Sequence, residues 1–234
     1  MVNNSVNKCI AYATNKGREF IEETQEEWPH KWDKKIMYYQ VVGVCRTLNN
    51  KTVRKALNYA MTTWDLEIDI KFKPYWYEPA FQTTNLTINF KNSDEDPFFK
   101  DRPTVLAYAY FPGQGSVSGK VVFNNNYIWS LNGKSISGKE AKAKGFIEFA
   151  DDASRIKTFN IITVLVHELG HSLGLKHDTH KDSRDAMDAY YDNMLGLSPW
   201  DIVRIRLKYP PRIFSRWSHY ARLKKWLARK KSSL

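Results

Sequence analysis

His167-Glu168-Leu169-Gly170-His171-Ser172-Leu173-Gly174-Leu175-Lys176-His177-Asp178 is the stretch on which the reading of this chain turns. Its pattern, H-E-x-x-H-x-x-G-x-x-H, fixes five positions within eleven residues. On a helix, residues four apart share a face, so His167 and His171 can offer their imidazoles to one cation. Gly174 tolerates backbone conformations that other residues avoid, so it can end the helix and turn the chain back. That turn lets His177 approach as a third ligand; His180 is the rival for that role, at a spacing that breaks the pattern. Three neutral imidazoles leave one position open on a tetrahedral zinc, as in a catalytic site and unlike a closed structural one. Glu168 lies beside the ligands without being needed as one, and can take a proton from a zinc-bound water. Asp178, directly after His177, is suited to hydrogen-bond nearby backbone and hold the turn.

Working outward, Phe159 to Leu173 reads as the helix that carries the motif. Ile161-Ile162, Val164-Leu165-Val166 and Leu169 make it apolar nearly all round, as expected of a helix buried through the centre of a domain. Its β-branched run is a poor isolated helix, so tertiary packing must hold it.

The motif resembles that of the metzincin zinc endopeptidases, and in its long form that of the matrixins, the matrix metalloproteinase catalytic domain. Metzincins carry a methionine turn beneath the zinc, and Asp185-Ala186-Met187-Asp188-Ala189-Tyr190-Tyr191 sits where one belongs, with Met187 at its centre. In matrixins a tyrosine four residues past the methionine helps to wall the specificity pocket, a place that Tyr191 fills. Ala189 stands where the family usually has proline, and the expected pocket wall departs from the pattern there. Leu197-Ser198-Pro199-Trp200-Asp201-Ile202, closing on Leu207-Lys208-Tyr209, is similar to the matrixin C-terminal helix. Val105-Leu106-Ala107-Tyr108-Ala109-Tyr110-Phe111-Pro112-Gly113 resembles the family's edge strand and the loop after it. The resemblance runs from about Trp32 to Pro210. It implies a mixed α/β zincin-like fold: a twisted, mostly parallel five-stranded sheet with an antiparallel edge strand, the active-site helix and a small C-terminal subdomain. It also implies one catalytic zinc and hydrolysis of internal peptide bonds. Substrate would lie extended and antiparallel to the edge strand near Leu106, Ala107 and Tyr108.

Elsewhere the pattern fits that architecture. Ile36 to Val44 is β-branched and aromatic, a first strand. Asn49 or Asn50 can cap a helix over Lys51 to Asp65, whose Val53, Ala56, Leu57, Ala60, Met61 and Trp64 fall on one stripe. Ile68 to Lys73 and Leu86 to Phe90 alternate as second and third strands. Compared with the family, the chain is longer by roughly twenty residues around Gly133 to Arg155, an expected surface loop with a short helix of its own.

Departures concern the other metals of the family. Matrixins commonly hold a structural zinc and calcium ions around the edge strand. Here Tyr108 and Val122 stand in place of two family histidines, and Asn124-Asn125-Asn126 replaces an acidic calcium run. Tyrosine and valine make no nitrogen site, and asparagines lack the charge that gives calcium affinity. The expectation is that the structural zinc is absent and that calcium binding is in doubt.

Composition sets the outer bounds. The 234 residues, 42% hydrophobic and 14% aromatic, read as one globular domain of ordinary size. Residues 1–31 form a polar arm, 32–210 the catalytic domain and 211–234 a basic tail. In the arm, Cys9 shares with the family's propeptide switch only the cysteine and a basic neighbour, and is not assigned as one. Cys9 and Cys45 are open to one bridge or to two free thiols. Family resemblance implies an extracellular protein, whereas the first residues lack the apolar core of a signal peptide. From Arg212 to Lys231 there are eight lysines and arginines and no acid, so most of the net charge of +11 lies there. Ile213, Phe214, Trp217, Tyr220, Leu223, Trp226 and Leu227 recur near helical spacing within it. Such a stretch can pack on the domain, lie on an anionic membrane or polymer, or bind nucleic acid. The chain is expected to act as a monomer on protein or peptide. A rival reading makes it a binding protein on the same scaffold, with the tail as its working part. A zinc hydrolase of non-protein substrates is a second rival. The complete set of ligands and general base argues against a dead site.

Overall fold

The computed structural model describes residues 8–12, 28–75, 84–147, 151–178 and 185–211. His180 and the tail from Arg212 onward, both singled out above, lie outside them. The first strand of the domain, β2 (Ile36–Val42), is followed by helix α1 (Asn50–Asp65). Asn49 caps that helix, its side chain accepting from the Thr52 N–H at 2.9 Å. The apolar stripe Val53, Ala56, Leu57, Ala60, Met61 and Trp64 is buried as its spacing requires.

Strands β3 (Lys71–Pro74) and β4 (Leu86–Lys91) pair in parallel with β2 on either side, and β6 (Lys120–Asn124) continues in parallel beyond β4. Strand β5 (Val105–Tyr110) runs antiparallel to β6. These are the five strands of the expected sheet. A sixth, β1 (Lys8–Tyr12), pairs antiparallel with the outer side of β5, giving the order β1-β5-β6-β4-β2-β3. Residues 8–12 therefore leave the expected solvated arm and join the sheet. Trp28 is also tied down: it stacks on Phe111 with centroids 4.7 Å apart and donates its indole N–H to the Pro112 carbonyl at 2.8 Å.

Three boundaries shift from the sequence expectation, the first being β2, which ends at Val42 and not Val44. The second strand begins at Lys71 and not Ile68; Ile68 and Ile70 are buried but precede the pairing with β2. The central helix, α4 (Ile161–Ser172), begins two residues late. Phe159–Asn160 is a short strand, β10, parallel to β7 (Trp129–Ser130), and Asn160 caps the helix through the Ile162 N–H. The inserted stretch carries the expected short helix, α3 (Gly138–Ala143), closed by a two-strand ladder of β8 (Ile136–Ser137) and β9 (Arg155–Ile156).

Helix α4 packs against both α1 and the sheet. Trp64 of α1, fully buried, donates its indole N–H to the Val166 carbonyl at 3.0 Å. Helix α5 (Pro199–Lys208) closes the far end. Tyr209, just beyond it, donates its hydroxyl to the Leu173 carbonyl at 2.9 Å and so fixes the end of α4. Cys45 is a buried free thiol, so it forms no bridge with Cys9.

Between β5 and β6, Tyr108 and Val122 are direct cross-strand partners. With Phe99, Val105 and Tyr110 they form a second buried cluster. The Tyr108 hydroxyl donates to Asp96 Oδ2 at 2.5 Å; burial, then this carboxylate, push its pKa far above the usual phenol value. The three asparagines after β6 serve as structural links. Asn124 donates its amide to the Val105 carbonyl and accepts from the Asn126 N–H, and Asn125 spans to Val44 and Arg46. Among the described residues, no helix is long and apolar enough to cross a membrane.

Candidate metal centre and active site

Helix α4 sets His167 and His171 one turn apart on one face, both buried. Their approach to the rest of the site depends on two glycines. At Gly170 a Cβ would lie 2.3 Å from Met187 Sδ and 2.9 Å from Trp64 Cζ2, so only glycine lets the helix rest on that methionine. Gly174 has φ +96°, and the Leu175 N–H returns to the Gly170 carbonyl at 2.9 Å. This left-handed turn reverses the chain and brings His177 back to the helix.

The potential ligand atoms of His167, His171 and His177 all lie within 4.8 Å of one another, the one such group of histidine, cysteine and carboxylate side chains among the described residues. His167 Nδ1 is 2.7 Å from the Ala186 carbonyl, and His171 Nδ1 is 2.6 Å from that of Leu175. A carbonyl can only accept, so both Nδ1 atoms carry the proton and both Nε2 atoms present lone pairs. Those two Nε2 atoms are 2.9 Å apart in a buried setting. Facing lone pairs repel, and a cation between them removes the repulsion. Burial, and then the neighbouring His167 and His177, hold the His171 pKa well below its usual value, which keeps it neutral as a ligand must be. The donor set fits zinc.

Glu168, fully buried, follows the first ligand directly. Met187 is fully buried under Gly170. Its carbonyl accepts the Asp178 N–H at 2.9 Å, which joins the loop after His177 to this turn. Tyr191 accepts the Asn160 N–H at 2.9 Å and donates to Asn193 Oδ1 at 3.0 Å, its pKa raised by burial. It packs edge-on against Phe159 and walls a pocket that opens beside His167, with Thr163, Val164, Tyr190 and Met194 around it. Leu106, Ala107 and Tyr108 lie in β5, the strand against which α4 packs.

Over residues 31–209 the sequence matches the matrixin family. The chain belongs to that family. Among curated relatives, matrilysin of Felis catus is 28% identical over 204 residues, covering 84% of this chain and 68% of its own length. Human matrilysin is 29% identical over 194 residues, 80% of this chain and 61% of that protein. Human matrix metalloproteinase-20 is 27% identical over 187 residues, 78% of this chain but only 33% of the relative. This matrixin thus spans about two thirds of the matrilysins and a third of the longer relative. At the level of its family it is a zinc-dependent metalloendopeptidase.

One residue of this matrixin site escaped the sequence reading. Asp201 of α5 is fully buried, and its Oδ2 accepts from the Ala186 N–H at 2.8 Å and the Ser198 N–H at 2.9 Å. It therefore clamps the methionine turn whose Ala186 carbonyl orients His167. The S-x-x-D spacing of Ser198 and Asp201 announces a capping box, which is present, but not this second task.

Proposed function

We propose that this matrixin cleaves internal peptide bonds of proteins, with Glu168 as general base and the substrate strand lying antiparallel along β5. The observation that carries the reading is the buried trio of histidines, two of them with Nε2 lone pairs turned on each other, with Glu168 adjacent. His167, His171 and His177 would hold the zinc. When bound, that ion supplies a Lewis acid for the scissile carbonyl and acidifies the attacking water. Glu168 takes the proton of that water and passes it to the departing amide nitrogen, so the amine leaves neutral. Met187 supports the ligands from below, and Asp178 ties the third ligand's loop to the methionine turn. Tyr191, held by Asn160 and Asn193, lines the pocket for the side chain next to the cleaved bond. On this reading the Tyr108–Val122 cluster packs apolar and aromatic side chains where the family holds a structural zinc, and Asn124 and Asn125 make hydrogen-bonded links in the place of its acidic calcium run.

Metal analysis together with cleavage of a quenched generic peptide tests this. One zinc per chain and chelator-sensitive cleavage are expected, with Glu168→Ala keeping the zinc and losing turnover. Full activity in Glu168→Ala rules out the general-base assignment, and two zincs per chain contradict the reading of Tyr108 and Val122.

A further inference from the structure

The inserted stretch joins the domain through a neck that a run of hydrogen bonds draws tight. The Gly133 N–H donates to Ser130 Oγ at 2.9 Å, the Ser130 and Thr158 hydroxyls are 2.8 Å apart, and Thr158 donates to the Lys134 carbonyl at 2.9 Å. Thr158 is buried, and with its proton committed to Lys134 it accepts that of Ser130. This neck meets the wall of the pocket beside His167. Asn193 has φ +48°, the one non-glycine residue with a left-handed backbone among the described residues. Its side chain reaches two ways from there. Oδ1 accepts from the Tyr191 hydroxyl at 3.0 Å, and Nδ2 donates to the Asn132 carbonyl at 3.1 Å. Gly133, with φ +64°, presses on the same pair: a Cβ there would lie 2.6 Å from Tyr191 Oη and 2.9 Å from Asn193 Oδ1. None of residues 130–134 lines the pocket, whereas Tyr191 does. From the other side Thr163 of α4 donates to the Met194 carbonyl at 2.9 Å. The loop 191–194 is thus held twice, by the active-site helix and by the insertion.

We propose that the insertion is a specificity element: its neck positions Tyr191 from behind, through Asn193 and Gly133, and so fixes the size of side chain that the pocket accepts. The inference rests on the reading that this pocket receives the substrate side chain after the cleaved bond. Asn193 and Gly133 are positioning residues, acting on substrate only through Tyr191. A backbone conformation that side chains rarely adopt persists where its surroundings hold it, and what holds Asn193 is the Tyr191 hydroxyl on one side and the neck on the other. The Tyr191 ring is backed edge-on by Phe159, and its hydroxyl also accepts the Asn160 N–H. With ring and hydroxyl both fixed, the wall yields to a larger side chain only if the bridge to the neck is broken.

The experiment uses the full chain unaltered and as Asn193→Asp, Asn193→Gly and Gly133→Ala. Asn193→Asp keeps the oxygen that holds Tyr191 but turns a second oxygen on the Asn132 carbonyl, which repels it. Asn193→Gly keeps the left-handed backbone and loses both bonds. Gly133→Ala displaces the Tyr191 hydroxyl directly. Two quenched peptides are compared, alike except for leucine or tryptophan directly after the cleaved bond. The ratio of their kcat/KM values cancels the fraction of chain that is folded, so a merely structural role leaves it unmoved. Neither side chain is charged, so the added carboxylate bears on both alike. In all three variants the ratio should move toward tryptophan by about tenfold, the scale on which an apolar pocket discriminates size. The Asn160 amide reports the wall without hydrolysis, because its acceptor is the Tyr191 hydroxyl at 2.9 Å. Its hydrogen exchange, followed by NMR, should quicken by about fivefold in the same variants.

If Asn193→Gly moves the ratio and Asn193→Asp does not, Asn193 holds the wall without the neck and the proposal is overturned. Faster Asn160 exchange with an unmoved ratio overturns the specificity role. Faster exchange with neither peptide cut by any form keeps the buttress and defeats the protease reading. Cleavage with ratio and exchange both unmoved does the reverse.

Discussion

Replacing Asp201 by alanine tests whether the zinc site is held from α5. The carboxylate accepts two main-chain N–H groups, Ala186 at 2.8 Å and Ser198 at 2.9 Å, from a fully buried position. A hydrogen bond to a charged group contributes about 1.5–3 kcal/mol, so two give an upper bound of about 6 kcal/mol. Ala186 and Ser198 are only half-buried, so water can recover part of that on truncation. The net expectation is a loss of about 3 kcal/mol, a factor of about 150 in the folding equilibrium. The second consequence follows from geometry. The Ala186 carbonyl receives His167 Nδ1–H, and the Met187 carbonyl receives the Asp178 N–H, so loosening this turn frees the first ligand's ring and the third ligand's loop together. Partners behind a ligand typically matter 10–100-fold in metal affinity, and a weakening of about tenfold is expected here. Asp201→Asn keeps an oxygen in place without the charge and should lose about 1 kcal/mol with little change in zinc affinity. The assays are urea unfolding of the zinc-free protein and competition for zinc against a chelator. An Asp201→Ala protein that loses under about 1 kcal/mol and binds zinc as before would refute the argument that α5 holds the site.

Other outcomes follow from the same contacts. Gly170→Ala forces Met187 and Trp64 to move, an overpacking that should lower stability by about 1–3 kcal/mol in denaturant unfolding; Gly170→Ala together with Met187→Ala should restore part of it. Tyr108 and Tyr209 have pKa values raised by burial above the ordinary 10.0. Above that pH the unfolded chain gives up these protons and the folded chain keeps them, so stability falls as pH rises past about 10. Tyr108→Phe should lessen that slope in unfolding curves taken across this range. The tail from Arg212 to Lys231 adds eight cations directly after α5, whose Trp200, Val203 and Leu207 are exposed on successive turns. Binding to vesicles containing anionic lipid, lost with those cations reversed or at high salt, is expected in sedimentation, and equal binding to neutral vesicles would count against an electrostatic partner.

What could be read from the sequence was what is local. His167 and His171 belong to one helical turn, and Gly174 marks the reversal that delivers His177, so the ligand set needs no knowledge of the rest of the chain. Asp201 and Ala186 are bonded between separate elements, and an aspartate at the third position of a capped helix is already accounted for by its cap. The start of α4 was misplaced for a related reason. Apolar residues stand on both sides of Asn160, so hydrophobicity carries no boundary, whereas the Asn160 side chain on the Ile162 N–H does. The strand at Lys8–Tyr12 is the extreme case. Five residues between polar flanks carry too little alternation to announce a strand, and what makes them one is an edge supplied by Val105–Tyr110, almost a hundred residues later. A strand with so weak a signal of its own owes its place to the strength of the edge it meets. An edge able to order that segment is suited to take an extended peptide of another chain, and this is the same property that cleavage of proteins requires of it.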